Sequence, residues 1–180
     1  MAYDAFLYFK DKDKPHGETL DAFMSKQDAF ELSEFGFGAE NTANIGSATG
    51  GGGSGKATFK PFTIKKRTDT ASCALFQQMC RGTHYDEAVL ELRRSGGSDK
   101  SSGATVLKIS FKMVYVTDMG WNGSDGDDIL EEDLTFEYGA IKIEYFQQGK
   151  DGKVKKPTVS GGAEAIWSRV LNTNKYEAGI

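Results

Sequence analysis

"ATVLKISFKMVYVTDM", Ala104–Met119, sets apolar Leu107, Ile109, Phe111, Met113 and Tyr115 against polar Lys108, Ser110 and Lys112. A side-chain period of two held over so long a run is that of a β-strand with one face on a core and the other polar. The flanking segments repeat the pattern. "AVLELRR", Ala88–Arg94, is a shorter strand, and "ILEEDLTFEYGAIKIEYFQQ" carries Leu134, Phe136 and Tyr138 on one parity, then Ile141, Ile143 and Tyr145 on the other. The parity changes at Gly139, where a strand can bend to turn a barrel corner.

Toward the N-terminus, "AYDAFLYF" places Tyr3, Ala5, Leu7 and Phe9 on one side and Phe6 and Tyr8 on the other, which predicts a strand covered on both faces. "DAFELSEFGFGA", Asp28–Ala39, has Phe30 and Leu32 on even positions and Phe35 and Phe37 on odd ones, so a bulge or bend is expected near Ser33 and Glu34. One segment is helical: in "DTASCALFQQMCRG" Asp69 is a natural N-cap, Leu75, Phe76, Met79 and Cys80 form a stripe expected to pack on a sheet, and Gly82 follows as the C′ residue. The tail "SGGAEAIWSRVLNTNKYEAGI" reads equally as a short helix or a final edge strand. The expected fold is mainly β, a two-sheet barrel or sandwich with one packed helix over about 69–81, in a single domain spanning 1–180.

The 180 residues are 38% hydrophobic and 27% charged, with a formal charge of −4. That balance, with an isoelectric point near 5.3, offers no general attraction to nucleic acid or an anionic membrane. The start "MAYDAFLYFKDKDK" lacks a signal-peptide pattern, and no apolar run reaches membrane-spanning length, so a soluble cytoplasmic product is expected.

Three stretches invite a chemical reading. "SATGGGGSGKATFKPF", Ser47–Phe62, has Gly50, Gly55 and Lys56 at the spacing of a phosphate-binding loop. That motif needs a Ser or Thr after the lysine and a helix starting there. Here Ala57 follows, and Phe59, Phe62 and Ile64 around Pro61 read as a strand with a break at the proline. "SDGDDILEED" is acidic, but aligning Gly126 with the EF-hand glycine puts Trp121 at the first ligand position, and a solvated loop is the better reading. Cys73 and Cys80 lie about 10 Å apart along the helix, too far for a disulfide, and are expected as small buried hydrophobes; with His84 they match no zinc spacing. No nucleophile context surrounds His84. No cofactor, metal site or catalytic residue is assigned.

Taken in order, "GGGGSGK", "FTIKKRTDTAS", "LFQQMCRGTHY", "AVLELRRSGG", "LKISFKMVYVTDM" and "EEDLTFEYGAIKIEYFQQ" resemble the haemolysin-coregulated protein (Hcp) family, the tube proteins of type VI secretion systems. The resemblance implies a β-barrel-like domain in homo-hexameric rings that stack into a hollow tube. A contractile sheath expels the tube from a baseplate, with a spike protein at its tip, and small effector proteins can travel in the lumen. It implies a structural protein, not an enzyme, cytoplasmic when assembled and then secreted without a signal peptide, with no nucleic acid and no membrane insertion. Alternatives are the tail tube of a phage-like contractile injection device and a monomeric β-sandwich binding module.

The resemblance also gives the glycine-rich stretch a role. From Glu40 to Gly55 runs a long protruding connection with one hydrophobe, Ile45, and each arm of about eight residues reaches about 25 Å when extended. It implies an inter-ring and inter-subunit contact loop, with Asn44, Ile45, Gly50, Gly53 and Lys56 as contact residues. With Phe35 and Phe37 inward, Glu34, Gly36 and Gly38 face outward and are the candidate lumen face; Lys108, Ser110 and Lys112 are expected on a polar ring surface.

Overall fold

The computed structural model describes residues 3–44, 53–94, 103–126, 128–149, 153–159 and 162–179. The strands are β1 (Tyr3–Phe9), β2 (Phe30–Leu32), β3 (Glu34–Glu40), β4 (Ala43–Asn44), β5 (Gly53–Ser54), β6 (Thr58–Arg67), β7 (Tyr85–Arg94), β8 (Ala104–Asn122), β9 (Glu131–Tyr145), β10 (Gln147–Gln148), β11 (Val154–Lys155) and β12 (Glu164–Ser168). The helix α1 spans Thr70–Arg81, between β6 and β7. The fold is mainly β with one helix, as its alternating segments predict. The two expected sheets are halves of one antiparallel eight-stranded sheet in the order β2-β1-β7-β8-β9-β6-β3, with β12 added to β9.

That sheet must curl, because its two end strands are consecutive in the chain. β2 pairs with β1 and β3 pairs with β6, and only Ser33 separates them. The parity switch expected near Ser33 and Glu34 is therefore the point where the chain leaves one end of the sheet for the other. Ser33 makes the crossing beside β6, its N–H donating to the Lys65 carbonyl at 2.9 Å. The expected break at Pro61 is a bulge inside a continuous strand: Gly36 pairs with Thr63 but Gly38 pairs with Lys60. A proline cannot donate to the ladder, and an extra residue on β6 absorbs it.

Inside the curl, Phe62 stacks on Phe111 at 4.5 Å and on Phe136 at 5.6 Å between ring centroids. β1 is buried from Ala5 to Phe9, as its two apolar faces predict. Leu7 and Phe9 enter the main core, while Phe6 and Tyr8 meet Val89, Met24 and Ala29 on the opposite side.

Long β8 keeps its predicted alternation only to Phe111. Met113 takes a positive φ of 53°, and the next core residues are Val114 and Val116, so the stripe expected to run through Met113 and Tyr115 moves to the other parity. The partner strand switches at the same level, from Tyr138 to Ile141, where Gly139 sits. A Cβ on Gly139 would approach Met113 Cβ and Sδ at 3.2 Å and Ala178 Cβ at 3.1 Å, closer than ordinary contact. Both strands turn the same corner together, and a glycine on one makes room for the methionine of the other.

The helix begins at Asp69, whose side chain accepts from the Ala71 N–H, with Ser72 completing a capping box, and ends at Gly82 in the left-handed region (φ 66°). Its inward face differs from the expected stripe. Ala71, Ser72 and Leu75 are buried and Met79 packs at the core edge, while Phe76 and Cys80 stay outside. Cys73 is exposed as well, so neither cysteine is the buried hydrophobe expected of it.

Beneath the first turn lies a buried ion cluster. Lys66 Nζ sits 2.8 Å from Glu132 Oε1, with both side chains at 0% exposure, and 2.7 Å from Asp69 Oδ1. It also donates to the Arg67 carbonyl, while Ser72 Oγ donates to Glu132 Oε1 at 2.9 Å and Thr68 Oγ1 to Oε2 at 3.2 Å. The Phe30 ring lies 5.0 Å from the ammonium. A buried pair of this kind costs about 3–5 kcal/mol when one partner alone is removed, because the other charge loses compensation for its burial; without Glu132, Asp69 alone is left to offset Lys66. Glu132→Leu should lower the stability measured by urea denaturation by that amount, and adding Lys66→Met should recover a large part of it. Equal loss in the single and double variants would show that the charge pairing is not what holds the helix start.

Candidate assembly surfaces

The glycine-rich connection extends the β3–β6 hairpin. Two short strands continue that hairpin as a stem: Ala43 pairs with Ser54 and Asn44 with Gly53, and the Gly55 N–H donates to the Thr42 carbonyl at 2.7 Å. Of the expected contact residues, Asn44 and Gly53 pair with each other in this stem and Lys56 is exposed at its root. Ile45 and Gly50 lie outside the described residues. Lys56 leads into strand β6, where a phosphate-binding loop needs a helix.

Next to the stem, β9 changes partners. Its first half pairs with β6 and its second half with β12, and the two partners diverge around Tyr138. The fork is an open groove of about 400 Å³ lined by Lys56, Phe59, Tyr138, Trp167 and Arg169 among others. Arg169 is clamped over the Tyr138 ring at 4.7 Å and the Phe59 ring at 5.6 Å, and donates to Glu137 at 2.7 Å and to the Tyr138 carbonyl at 3.0 Å. With its charge paired and its plane stacked, this arginine stiffens the groove wall.

On β3, Phe35 and Phe37 pack toward the core, so Glu34, Gly36 and Gly38 lie on the outward parity. Glu34 is exposed and reaches Lys65 at 3.7 Å, and the two glycines leave bare backbone beside Thr63 and Lys60. These three residues share one strip. The stem residues Asn44 and Gly53 lie beyond its far end.

The outward face of the middle strands carries charges that pair across the sheet. Glu91 meets Lys108 at 3.3 Å and accepts from Tyr8 and Thr105, and Glu144 meets Lys142 at 3.4 Å and Lys156 at 3.1 Å. Burial first, then the Glu91 charge, pushes the ionisation of the Tyr8 hydroxyl far above the usual tyrosine range. Burial alone would raise the Glu144 carboxyl, but the two lysines outweigh it and hold it below its ordinary value. The expected polar surface Lys108, Ser110, Lys112 is only partly open, because Ser110 is buried. The cover is the C-terminal segment, which pure alternation within β8 does not reveal.

That tail follows an edge strand, β12, and turns back through a bridge between Ser168 and Thr173, with Asn172 at φ 50°. Tyr176 then lies over Lys112 and Lys142, its ring centroid 4.9 Å and 5.3 Å from their ammoniums. Its hydroxyl is buried without a well-formed hydrogen bond; burial first, then the Glu87 charge, drives its ionisation far above the usual range. Elsewhere His84 rests on the Tyr115 ring at 5.2 Å, and its carbonyl accepts from Gln78. No group of three or more His, Cys, Asp and Glu side chains among the described residues is arranged to hold a metal ion.

A curled sheet with one capped helix, a hairpin continued by a short stem and a charge-paired outer face defines a β-barrel-like protein whose distinguishing features are surfaces. The family model described as "Type VI secretion system effector, Hcp" matches residues 6–145, and the chain belongs to that family. The protein hcp1 of Pseudomonas aeruginosa is 29% identical over 97 residues, 54% of this chain, and the chain spans 58% of that relative's length. Among solved structures, a type six secretion system protein superposes with a TM-score of 0.81 at 27% identity, covering 97% of this chain and 100% of that one. Hcp1 from Salmonella typhimurium shares the fold, with a TM-score of 0.70 at 22% identity over 97% and 100% of the two chains.

Tyr176→Ala should free the tail, raising its rate of digestion by carboxypeptidase and costing about 1–2 kcal/mol from lost ring burial. Tyr176→Phe should behave as the parent, since the ring and the lysines beneath it do the holding. Equal digestion of all three proteins would show that Tyr176 does not anchor the tail.

Proposed function

We propose that this chain is the structural subunit of a type VI secretion tube: six copies close into a ring, and rings stack into a hollow tube that a contractile sheath drives outward behind a spike. The observation that carries the reading is the family match over residues 6–145. In this reading the protein is not an enzyme, assembles in the cytoplasm on a baseplate and leaves the cell with the tube.

The surfaces support distinct roles within it. The Glu40 to Gly55 connection, its two sides paired at the β4–β5 stem, serves as the contact with a neighbouring subunit or ring, through Asn44, Ile45, Gly50, Gly53 and Lys56. The strip Glu34, Gly36 and Gly38 is assigned to the lumen. Its two glycines give a smooth wall against which effector proteins can slide.

Light scattering on a sizing column, with negative-stain imaging of the peak, should give a mass about six times the 19.6 kDa of one chain and rings with a central hole. A monomer that persists at high concentration would overturn the ring. Replacing residues 45–52 by a two-residue Asn-Gly turn should leave rings intact and abolish stacking. Tubes of normal length from that variant would remove the loop from the contact.

A further inference from the structure

The helix α1 has a second, exposed face that is uncharged along most of its length. At 100° per residue, Cys73, Gln77 and Cys80 lie on the side opposite the buried Ala71, Ser72 and Leu75, with Phe76 at their flank. All four are exposed, Phe76 at 43%. Phe76 is met at 5.6 Å by Trp121, itself 40% exposed, so the apolar area continues onto the end of β8. Between Thr70 and Arg81 the sole charged residue is Arg81, at the C-terminal end. At the other end the Glu18 carboxylate accepts from both the N–H and the hydroxyl of Thr70.

We propose that this face docks, antiparallel and about a two-fold axis, on the same face of a second copy of the chain. The pattern is its own complement. A two-fold axis at the level between Phe76 and Gln77 sets Cys73 of one copy opposite Cys80 of the other, twice, and lays Phe76 of one copy beside Phe76 of the other on one flank of the stripe. Each Arg81 comes to the first helical turn of the other copy, where Glu18 is exposed, and the antiparallel dipoles add to that attraction. Helix axes about 8–10 Å apart with Cα atoms at a radius of about 2.3 Å leave roughly 3.4–5.4 Å between facing Cα atoms, and the wider half of that range lies within the span of a disulfide.

This contact goes beyond the tube reading and differs from it in symmetry. A ring that stacks into a polar tube uses head-to-tail contacts, which leave a free surface at each step, whereas a two-fold contact consumes the same patch on both partners and stops. It therefore describes an association of free subunits or rings outside the growing tube.

The thiols report on it. With oxidised glutathione as the oxidant, a Cys80 thiolate takes one half of the small disulfide and releases one reduced glutathione. The Cys73 thiolate of the other copy then displaces the second, so each protein disulfide consumes one oxidised glutathione and yields two reduced ones. The full-length protein treated this way should run as a covalent dimer on a non-reducing gel. Cys73→Ala alone and Cys80→Ala alone should stay monomeric, because like cysteines lie about 10 Å apart along the axis of an antiparallel pair. An equal mixture of the two variants should restore the dimer, and Arg81→Glu should lower its yield. Glutathione adducts without dimer in the parent protein, or a single variant that cross-links as well as the mixture, would overturn the two-fold docking. The ring mass, measured separately in reductant on the Cys73→Ala/Cys80→Ala protein, tests the tube reading independently.

Discussion

The buried cluster around Lys66 and Glu132 ties the start of α1 to the paired strands β6 and β9, a link that no backbone ladder makes. Lys66 belongs to β6, Glu132 to β9, and the ammonium also grips Asp69, the residue that caps α1. A charge removed from water is stable only when its hydrogen-bonding positions are met, so the cluster tolerates little displacement of the helix start. The sheet pairing places Lys66 opposite Glu132 in register, and the short Arg67–Asp69 link leaves the helix no freedom to begin elsewhere. From that fixed start, Leu75 and Met79 are carried onto the core, and the same rotation leaves Cys73, Phe76 and Cys80 outside.

This cluster also shows where reading the chain reaches its limit. Lys66 and Glu132 stand in stretches dense with charge, "FTIKKRTD" and "ILEEDLT", which look like solvated faces. Nothing local distinguishes Lys66 from its neighbour Lys65, or Glu132 from Glu131. The difference is parity: Lys66 shares its side of β6 with Phe62 and Ile64, and Glu132 shares its side of β9 with Leu134 and Phe136, so both point inward once the core stripe is continued past its last hydrophobe. The signal lies in the alternation, and a charge at the end of a core stripe masks it.

The strands, the helix caps and the bend at Gly139 are legible because each rests on a local rule. Met113 is not, because a non-glycine residue at positive φ carries no mark in the sequence, and its cause is the glycine on the facing strand. The role of Ser33 is similar. A parity switch is visible between Leu32 and Phe35, but whether the chain bulges in place or passes to another strand depends on which partners await it, and those lie in β1 and β6. Of the candidate surfaces, outward-facing Glu34, Gly36 and Gly38 follow from parity, whereas the cover over Ser110 does not, since Tyr176 reaches it from a distant part of the chain.

The outer face of the middle strands and the outer face of α1 differ in chemistry. On the middle strands the charges satisfy one another: Glu91 with Lys108, Glu144 with Lys142 and Lys156, and Lys156 again with Glu164 at 2.5 Å. A face so paired presents little net charge, and exposed pairs of this kind contribute only about 0–1 kcal/mol to the fold. Of the apolar residues left outside, Phe76 and Trp121 meet each other at α1 and the end of β8. Water penalises that patch until another surface covers it, and the patch shares no residue with the β3–β6 hairpin or its β4–β5 stem.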